Sequence, residues 1–360
     1  MGVLNADQIK AAIDEGAIVL ASTPAPRQIQ PASIDLTLGR RGWRVRASFL
    51  PPPGARVADR LASGLMMQAI DLSGGAVLER GCVYLVELGE RLSLPSGVAA
   101  SANPKSSTGR IDVFVRLVVD ASSENAGGRR VAFDDVPPGY QGPLYAEISP
   151  RTFSILVREG SSLNQLRLKT GAPRLSDTDL AALHAREALI DGPADIDGGL
   201  GLSVDLQPAT GPVGWRARRH AALIDVDAPA ALDADDYFEP LPPPRAGFII
   251  LDPDEFYILA SREALSVPPD YAAEMTPISP GLGEFRVHYA GFFDPGFGWN
   301  APSRAVLEVR SHDAAFVLEH GQLVARLVYE RMAARPSALY GAGVASNYQG
   351  QGLKLSKHFR

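Results

Sequence analysis

Ser33-Ile34-Asp35-Leu36, followed by Gly42-Trp43-Arg44, returns later in the chain as Ser203-Val204-Asp205-Leu206, followed by Gly214-Trp215-Arg216. Working outward, Tyr84-Leu85-Val86 leading to Leu92-Ser93-Leu94-Pro95 returns as Tyr257-Ile258-Leu259 leading to Leu265-Ser266-Val267-Pro268. Tyr145-Ala146-Glu147 returns as Val306-Leu307-Glu308, each with a glycine 13 residues on, Gly160 and Gly321. The offset is 170 to 173 residues in the first blocks and 161 in the last, as one net deletion of about a dozen residues would produce. Ordered matches at a nearly constant offset mark an internal repeat, and each copy is about 150 residues, the size of one domain.

Short apolar runs separated by abundant glycine (35) and proline (29) point to strands and turns rather than long helices. Strands are expected at Val115–Val119, Ser154–Val157, Gly247–Leu251, Arg304–Val309 and Leu323–Tyr329. Two helices stand out. Asn5 can cap one running to about Gly16, with Ile9, Ala12 and Ile13 on one face, and Ser176 can cap Asp177–Ile190, with Leu180, Leu183 and Leu189 as its stripe. The acidic, then proline-rich stretch Asp225–Pro244 reads as a surface loop, and the glycine-rich end from Pro336 as a mobile tail.

Composition narrows the function. Hydrophobic residues make up 46 % and charged residues 21 %, enough apolar side chain for packed cores. A net charge of −6 argues against non-specific nucleic-acid binding, although a few local cations suffice for a small anion. Cys82 is the only cysteine, so no intrachain disulfide forms and no site has two thiolates; it is expected to be an inert core thiol. No apolar run reaches the roughly 18–20 residues that span a bilayer, and the N-terminus does not resemble a signal peptide, so a cytoplasmic location is expected. His312 and His320 read as surface or packing residues.

Three stretches carry chemistry. Pro104-Lys105-Ser106-Ser107-Thr108-Gly109-Arg110 sets hydroxyls and two cations beside a glycine, a grouping that can hold phosphate oxygens; the bland alternative is a polar turn. His288-Tyr-Ala-Gly-Phe-Phe-Asp-Pro-Gly-Phe-Gly298 precedes Arg304-Ala-Val-Leu-Glu-Val-Arg310, which embeds Glu308 in an apolar strand. A carboxyl there tends to hold its proton more tightly, which suits proton shuttling, unless it is merely paired with Arg304 or Arg310. Tyr340, then Asn347-Tyr348-Gln349-Gly350-Gln351-Gly352 with Lys354 and Lys357, could close over a nucleotide or be a loose terminus.

Together these stretches resemble the dCTP deaminase family, a branch of the trimeric dUTPase superfamily. Members carry an Arg-Ser-Ser-x-x-Arg-type segment, an Ala-x-x-Ile-Asp-Pro-Gly-type segment, an apolar strand with the catalytic Glu, and a tail with a Tyr eight residues before Tyr-x-x-Gln. Tyr340 and Tyr348 are eight apart here, Gln351 falls three further on, and Ile29-Gln-Pro-Ala-Ser-Ile-Asp-Leu-Thr-Leu-Gly39 resembles the family's start. The resemblance implies a mainly β chain of two tandem dUTPase-like β-barrel or jelly-roll domains with a few short helices. The copies are expected at 1–172 and 199–335, with a helical linker at 173–198 and a closing tail at 336–360.

Neither copy is complete. Copy one has the Ser-Ser-x-x-Arg segment but reads Pro137-Pro138-Gly139 where the family has Asp-Pro-Gly, and it carries an insertion around Glu124–Val136. Copy two has Asp294-Pro295-Gly296 and Glu308 but reads Ser279-Pro-Gly-Leu-Gly-Glu284 in place of the serine segment. In the superfamily these two segments of one site come from different subunits, so the copies are expected to specialise. Copy one then supplies Lys105, Ser106, Ser107 and Arg110, copy two supplies Ala290, Asp294 and Glu308, and Glu147 is the decayed counterpart, although Glu147 keeps the family's eight-residue spacing from its glycine whereas Glu308 follows Gly296 by twelve.

The resemblance implies hydrolysis of dCTP to dUTP and ammonia, feeding dUMP and dTTP supply. The zinc deaminases use His-x-Glu with Pro-Cys-x-x-Cys, which this chain cannot make, so no zinc is expected and a carboxylate does the proton work. Glu308 would relay the water proton to the ring, with Ser106 positioning the water and Arg110 steadying charge. Groups near Ala290 would read the base and Asp294 the deoxyribose, while Lys105, Ser107, Tyr340 and Gln351 hold the triphosphate or close the site. Mg2+ would ride on the triphosphate oxygens. A homo-oligomer is expected, dTTP is a candidate feedback ligand, and no nucleic-acid or membrane partner is expected. Two alternatives stay open: a dUTPase, or a bifunctional deaminase that also releases dUMP; and a non-catalytic nucleotide-binding module.

Overall fold

The computed structural model describes residues 1–127, 130–279, 285–288, 291–311, 313–341, 343–344 and 350–360. The chain is mainly β and divides into two compact units. The first comprises Met1–Pro173 with Leu223–Pro229 and Met332–Ser337; the second comprises Arg174–Ala222, Ala230–Arg331 and Ala338–Arg360. No helix among the described residues is long and apolar enough to cross a membrane.

The repeat is visible strand by strand. In the first unit one sheet runs Met66–Asp71, Leu38–Val45, Val83–Ser93, Gln141–Pro150, Val113–Val119. In the second unit Phe238–Leu241, Gly214–Ala217, Tyr257–Leu265, Ser303–Ser311 and Phe285–His288 follow in the same order. Register is preserved too. Trp43 lies opposite Leu85 and Leu85 opposite Glu147; Trp215 lies opposite Ile258 and Ile258 opposite Glu308. Tyr84 Oη accepts the Glu79 N–H at 3.0 Å, and Tyr257 Oη accepts the Asp252 N–H at the same distance. A second sheet in each unit places Val98–Pro104 beside Asn164–Thr170, and Tyr271–Pro277 beside Leu323–Arg331, so that Pro104 faces Asn164 and Pro277 faces Ala325.

Local chemistry explains the helices. Asn5 Oδ1 accepts the Gln8 N–H and Gln8 Oε1 accepts the Asn5 N–H, each at 3.0 Å, a reciprocal cap that starts Ala6–Asp14. The second helix spans Asp177–Glu187, shorter than the sequence pattern implied. Ala188 turns left-handed with φ 42, so Leu189 leaves the helix yet still reaches the same core as Leu180 and Leu183.

Three sequence expectations are corrected. Asp225–Pro244 is not simply loop. Ile224–Asp225 pairs in parallel with Ile155–Val157 in the first unit, and Phe238–Leu241 is an edge strand, where Pro240 is tolerated because an edge need not donate. Cys82 is half-exposed beside a turn, with Sγ 3.9 Å from Glu79 Oε2, rather than a core thiol. The end of the chain is docked rather than loose. The Ala230 and Leu232 N–H groups donate to the Lys357 and His358 carbonyls, and the Phe359 ring lies 5.2 Å from Tyr237 and 5.3 Å from Phe238. The composition was read as flexible, but its final aromatic outweighs the glycines. Phe359→Ala should therefore lower stability by about 2 kcal/mol, as a half-buried aromatic anchor does, measurable by denaturant unfolding; an unchanged midpoint would show that the docking contributes nothing.

Candidate functional site

The sequence-predicted residues fall into two groups, one in each unit. In the first unit the strand Val98–Pro104 ends and the chain turns at once into the single helical turn Ser106–Gly109. The Thr108 and Gly109 N–H groups both donate to the Lys105 carbonyl, at 2.8 and 3.0 Å, and the Arg110 N–H to the Ser106 carbonyl at 3.1 Å. Ser107, Thr108 and Arg110 are buried while Lys105 and Ser106 are half-buried, so the turn is seated in the domain rather than waving from it. Lys105 is held in place. Its N–H donates to the Leu163 carbonyl at 2.9 Å, and its ammonium pairs with Asp35 and donates to Ser162 Oγ at 3.3 Å. Asp35 belongs to the repeated Ser-Ile-Asp-Leu block; its partnership with Lys105 is a functional contact that sequence reasoning missed, although the recurrence of that acid in both copies was the available signal.

In the second unit the strand Ser303–Ser311 carries Glu308. Ala305, Leu307 and Val309 join the hydrophobic core, so the two-residue period puts Glu308 on the opposite face, where it is nevertheless only 3 % exposed. Of the two arginines that could simply neutralise it, Arg304 is engaged elsewhere: its Nη1 donates to Asp205 Oδ2 and to the Ser261 carbonyl at 2.8 Å, and to the Arg262 carbonyl at 2.9 Å. Asp294 is buried at the turn Asp294-Pro295-Gly296. Tyr340 packs on that turn, its N–H donating to the Pro295 carbonyl at 2.9 Å and its ring 5.6 Å from Phe297. Gly296 has φ 96, and a Cβ there would come within 2.8 Å of Leu339 Cβ, so only glycine lets the tail approach. Gly298 and Asn300 are also left-handed, which gives this turn a wider course than its copy-one counterpart and accounts for the longer spacing to Glu308. Gln351 is tied to the same strand as Glu308, its Nε2 donating to the Arg304 carbonyl at 3.2 Å and its own carbonyl accepting the Arg304 N–H at 3.0 Å. Ala290, His312 and Tyr348 lie outside the described residues.

Glu147, at the matching position in the first unit, is also buried on the face away from the core, but a segment of its own domain folds over it. Ser48 Oγ–H donates to Glu147 Oε1 at 2.8 Å and the Phe49 N–H to Oε2 at 3.3 Å. Burial pushes its carboxyl above the ordinary value, and these two donors and Arg116 only partly offset that.

The fold and its duplicated strand order define a tandem dUTPase-like β protein with a divided set of polar residues. Comparison with known proteins then identifies the family. Residues 1–172 match the N-terminal domain of 2'-deoxycytidine 5'-triphosphate deaminase and residues 176–359 match its C-terminal domain, and the chain belongs to the dCTP deaminase family. The crystal structure of 2'-deoxycytidine 5'-triphosphate deaminase from Agrobacterium tumefaciens superposes with a TM-score of 0.87 at 51 % identity, covering 93 % of this chain and 99 % of that one. The dCTP deaminase of Haloarcula marismortui is 26 % identical over 177 residues, 48 % of this chain and 84 % of that protein. A protein of Methanobrevibacter smithii named dCTP deaminase, dUMP-forming, is 33 % identical over 113 residues, 30 % of this chain and 56 % of that protein.

The raised Glu147 carboxyl has a consequence for stability. The folded chain holds that proton more tightly than the unfolded chain, so the favourable contribution is present below the unfolded value of about 4.3 and is lost as pH rises through the folded value. Glu147→Gln should therefore gain stability relative to the parent between pH 4 and pH 8, seen as a widening difference in Tm; a difference that stays flat with pH refutes this assignment.

Proposed function

We propose that this chain hydrolyses dCTP to dUTP and ammonia, with Glu308 as the proton-transferring carboxylate and without zinc. The carrying observation is the likeness, at 51 % identity over 93 % of the chain, to a protein named 2'-deoxycytidine 5'-triphosphate deaminase. In this reading dCTP arrives with the Mg2+ that travels on its phosphate oxygens. Water attacks C4 of the cytosine ring, Glu308 takes the water proton and delivers it to the ring nitrogen, and the C4–N bond breaks to release ammonia and leave the uracil carbonyl. A carboxylate buried on an otherwise apolar strand suits this relay, because burial brings its proton affinity toward that needed at neutral pH.

Ser106 positions the water and Arg110 steadies the developing charge. Lys105 and Ser107 hold phosphate oxygens. The backbone near Ala290 reads the base, Asp294 binds the deoxyribose, and Tyr340 and Gln351 close the site. The pairing of Tyr340 with the Asp294 turn, and of Gln351 with the strand of Glu308, supports assigning the tail to the copy-two half of the site. The Ser48 and Phe49 contacts on Glu147 support reading that carboxylate as structural. A homo-oligomer and feedback by dTTP belong to the same reading.

A second reading is favoured by the names of several relatives, which are dUMP-forming. Both need the same deamination; the second adds hydrolysis that releases pyrophosphate. Incubation of pure protein with dCTP, Mg2+ and a zinc chelator separates them, because dUTP with ammonia is expected from the first and dUMP with pyrophosphate from the second. Glu308→Gln should lower turnover at least about 100-fold with little change in Tm, while Glu147→Gln keeps it. Normal turnover in Glu308→Gln removes the assignment.

A further inference from the structure

Asn164 is 1 % exposed, and neither its Oδ1 nor its Nδ2 has a hydrogen-bond partner among the described residues. An interior amide left this way costs about 1–3 kcal/mol, so its place needs a reason. It stands at the first position of the strand Asn164–Thr170, directly opposite Pro104 and one residue after Leu163, whose carbonyl accepts the Lys105 N–H at 2.9 Å. Opposed residues of an antiparallel ladder share a face, and Asn164 shares its face with Leu166 and Leu168, so the amide looks inward at the strand end from which the Lys105–Arg110 turn departs. Ser107, Thr108 and Arg110 are buried at that same end. At the matching position copy two has Ala325, opposite Pro277, and copy two is also the copy without the serine segment. The amide and the serine turn occur together.

We propose that Asn164 is a positioning residue for the Lys105–Arg110 turn, acting through an ordered water shared between its amide and the base of the turn. Two donor hydrogens and an acceptor oxygen in a closed interior suit one water, which can hold several buried polar groups at once. Fixing the turn from behind keeps Lys105 and Ser107 arranged for the phosphates without Asn164 touching the nucleotide. This inference rests on the reading of that turn as the phosphate-holding segment.

Asn164→Leu in the full chain is the discriminating variant, since it keeps the volume and removes only the polar atoms. Its Tm should equal or exceed that of the parent, because a buried unsatisfied amide is replaced by an apolar group. Its KM for dCTP should rise about tenfold, the equivalent of losing one mediated hydrogen bond, while inhibition by deoxycytidine, which lacks phosphates, changes less than about twofold. Asn164→Ser, which can still hold a water, should recover most of the KM. Lys105→Ala serves as the control. If Lys105→Ala raises KM and Asn164→Leu does not, the positioning role is wrong and the phosphate reading stands. If Lys105→Ala leaves KM unchanged, the phosphate reading fails and this inference fails with it. A purely structural role, in which Tm falls and KM stays constant, also overturns the proposal.

Discussion

Along the strand Ser303–Ser311, Ala305, Leu307 and Val309 fill the core, and the pleat therefore turns Glu308 to the other side. The alternation constrains everything that follows. A carboxylate can sit in the middle of a greasy strand without entering the core, close enough to apolar neighbours to be desolvated yet on a face that can meet a ligand. Copy one repeats the same geometry at Glu147, with Leu85 opposite where copy two has Ile258. What separates the two acids is what covers that face, since in copy one a segment of the same domain donates to both carboxylate oxygens.

Duplication lets each half relax part of its burden. Where copy two keeps Asp294 at a buried turn, copy one has Pro137, and where copy one keeps a seated serine turn, copy two has a glycine- and proline-containing stretch. The backbone scaffold tolerates these exchanges because strand order and register are set by the core-facing residues, which both copies retain. Polar residues on turns and outer faces are free to diverge, because they contribute little to the packing that fixes the fold.

Much of this was legible in the sequence. The repeat, the mainly β character and the sorting of motifs between copies follow from spacing and turn chemistry, which act locally. The length of the second helix was less legible, because Ala188 gives no warning of a left-handed conformation. The docking of the chain end was hidden by its glycines, though Phe359 and the buried His358 settle it in the folded chain. The Lys105–Asp35 pair and the lodging of Asn164 join residues about 60 to 70 positions apart, and no local pattern reports such a meeting. Asn164 in particular reads in sequence as an ordinary polar strand residue; only register reveals that it faces inward.

The first unit is not finished by its own copy. Ile224 and Asp225 form the third strand beside Ile155–Val157, with Arg158 gripping Asp225 through two contacts of 2.8 Å, and Ala333 donates to the Val3 carbonyl at 2.8 Å. During synthesis, then, the amino-terminal half waits for almost the whole polypeptide to emerge before its last edges are covered. A ribosome stalled after residue 173 would hold a sheet with bare margins, a species open to mispairing with other nascent chains.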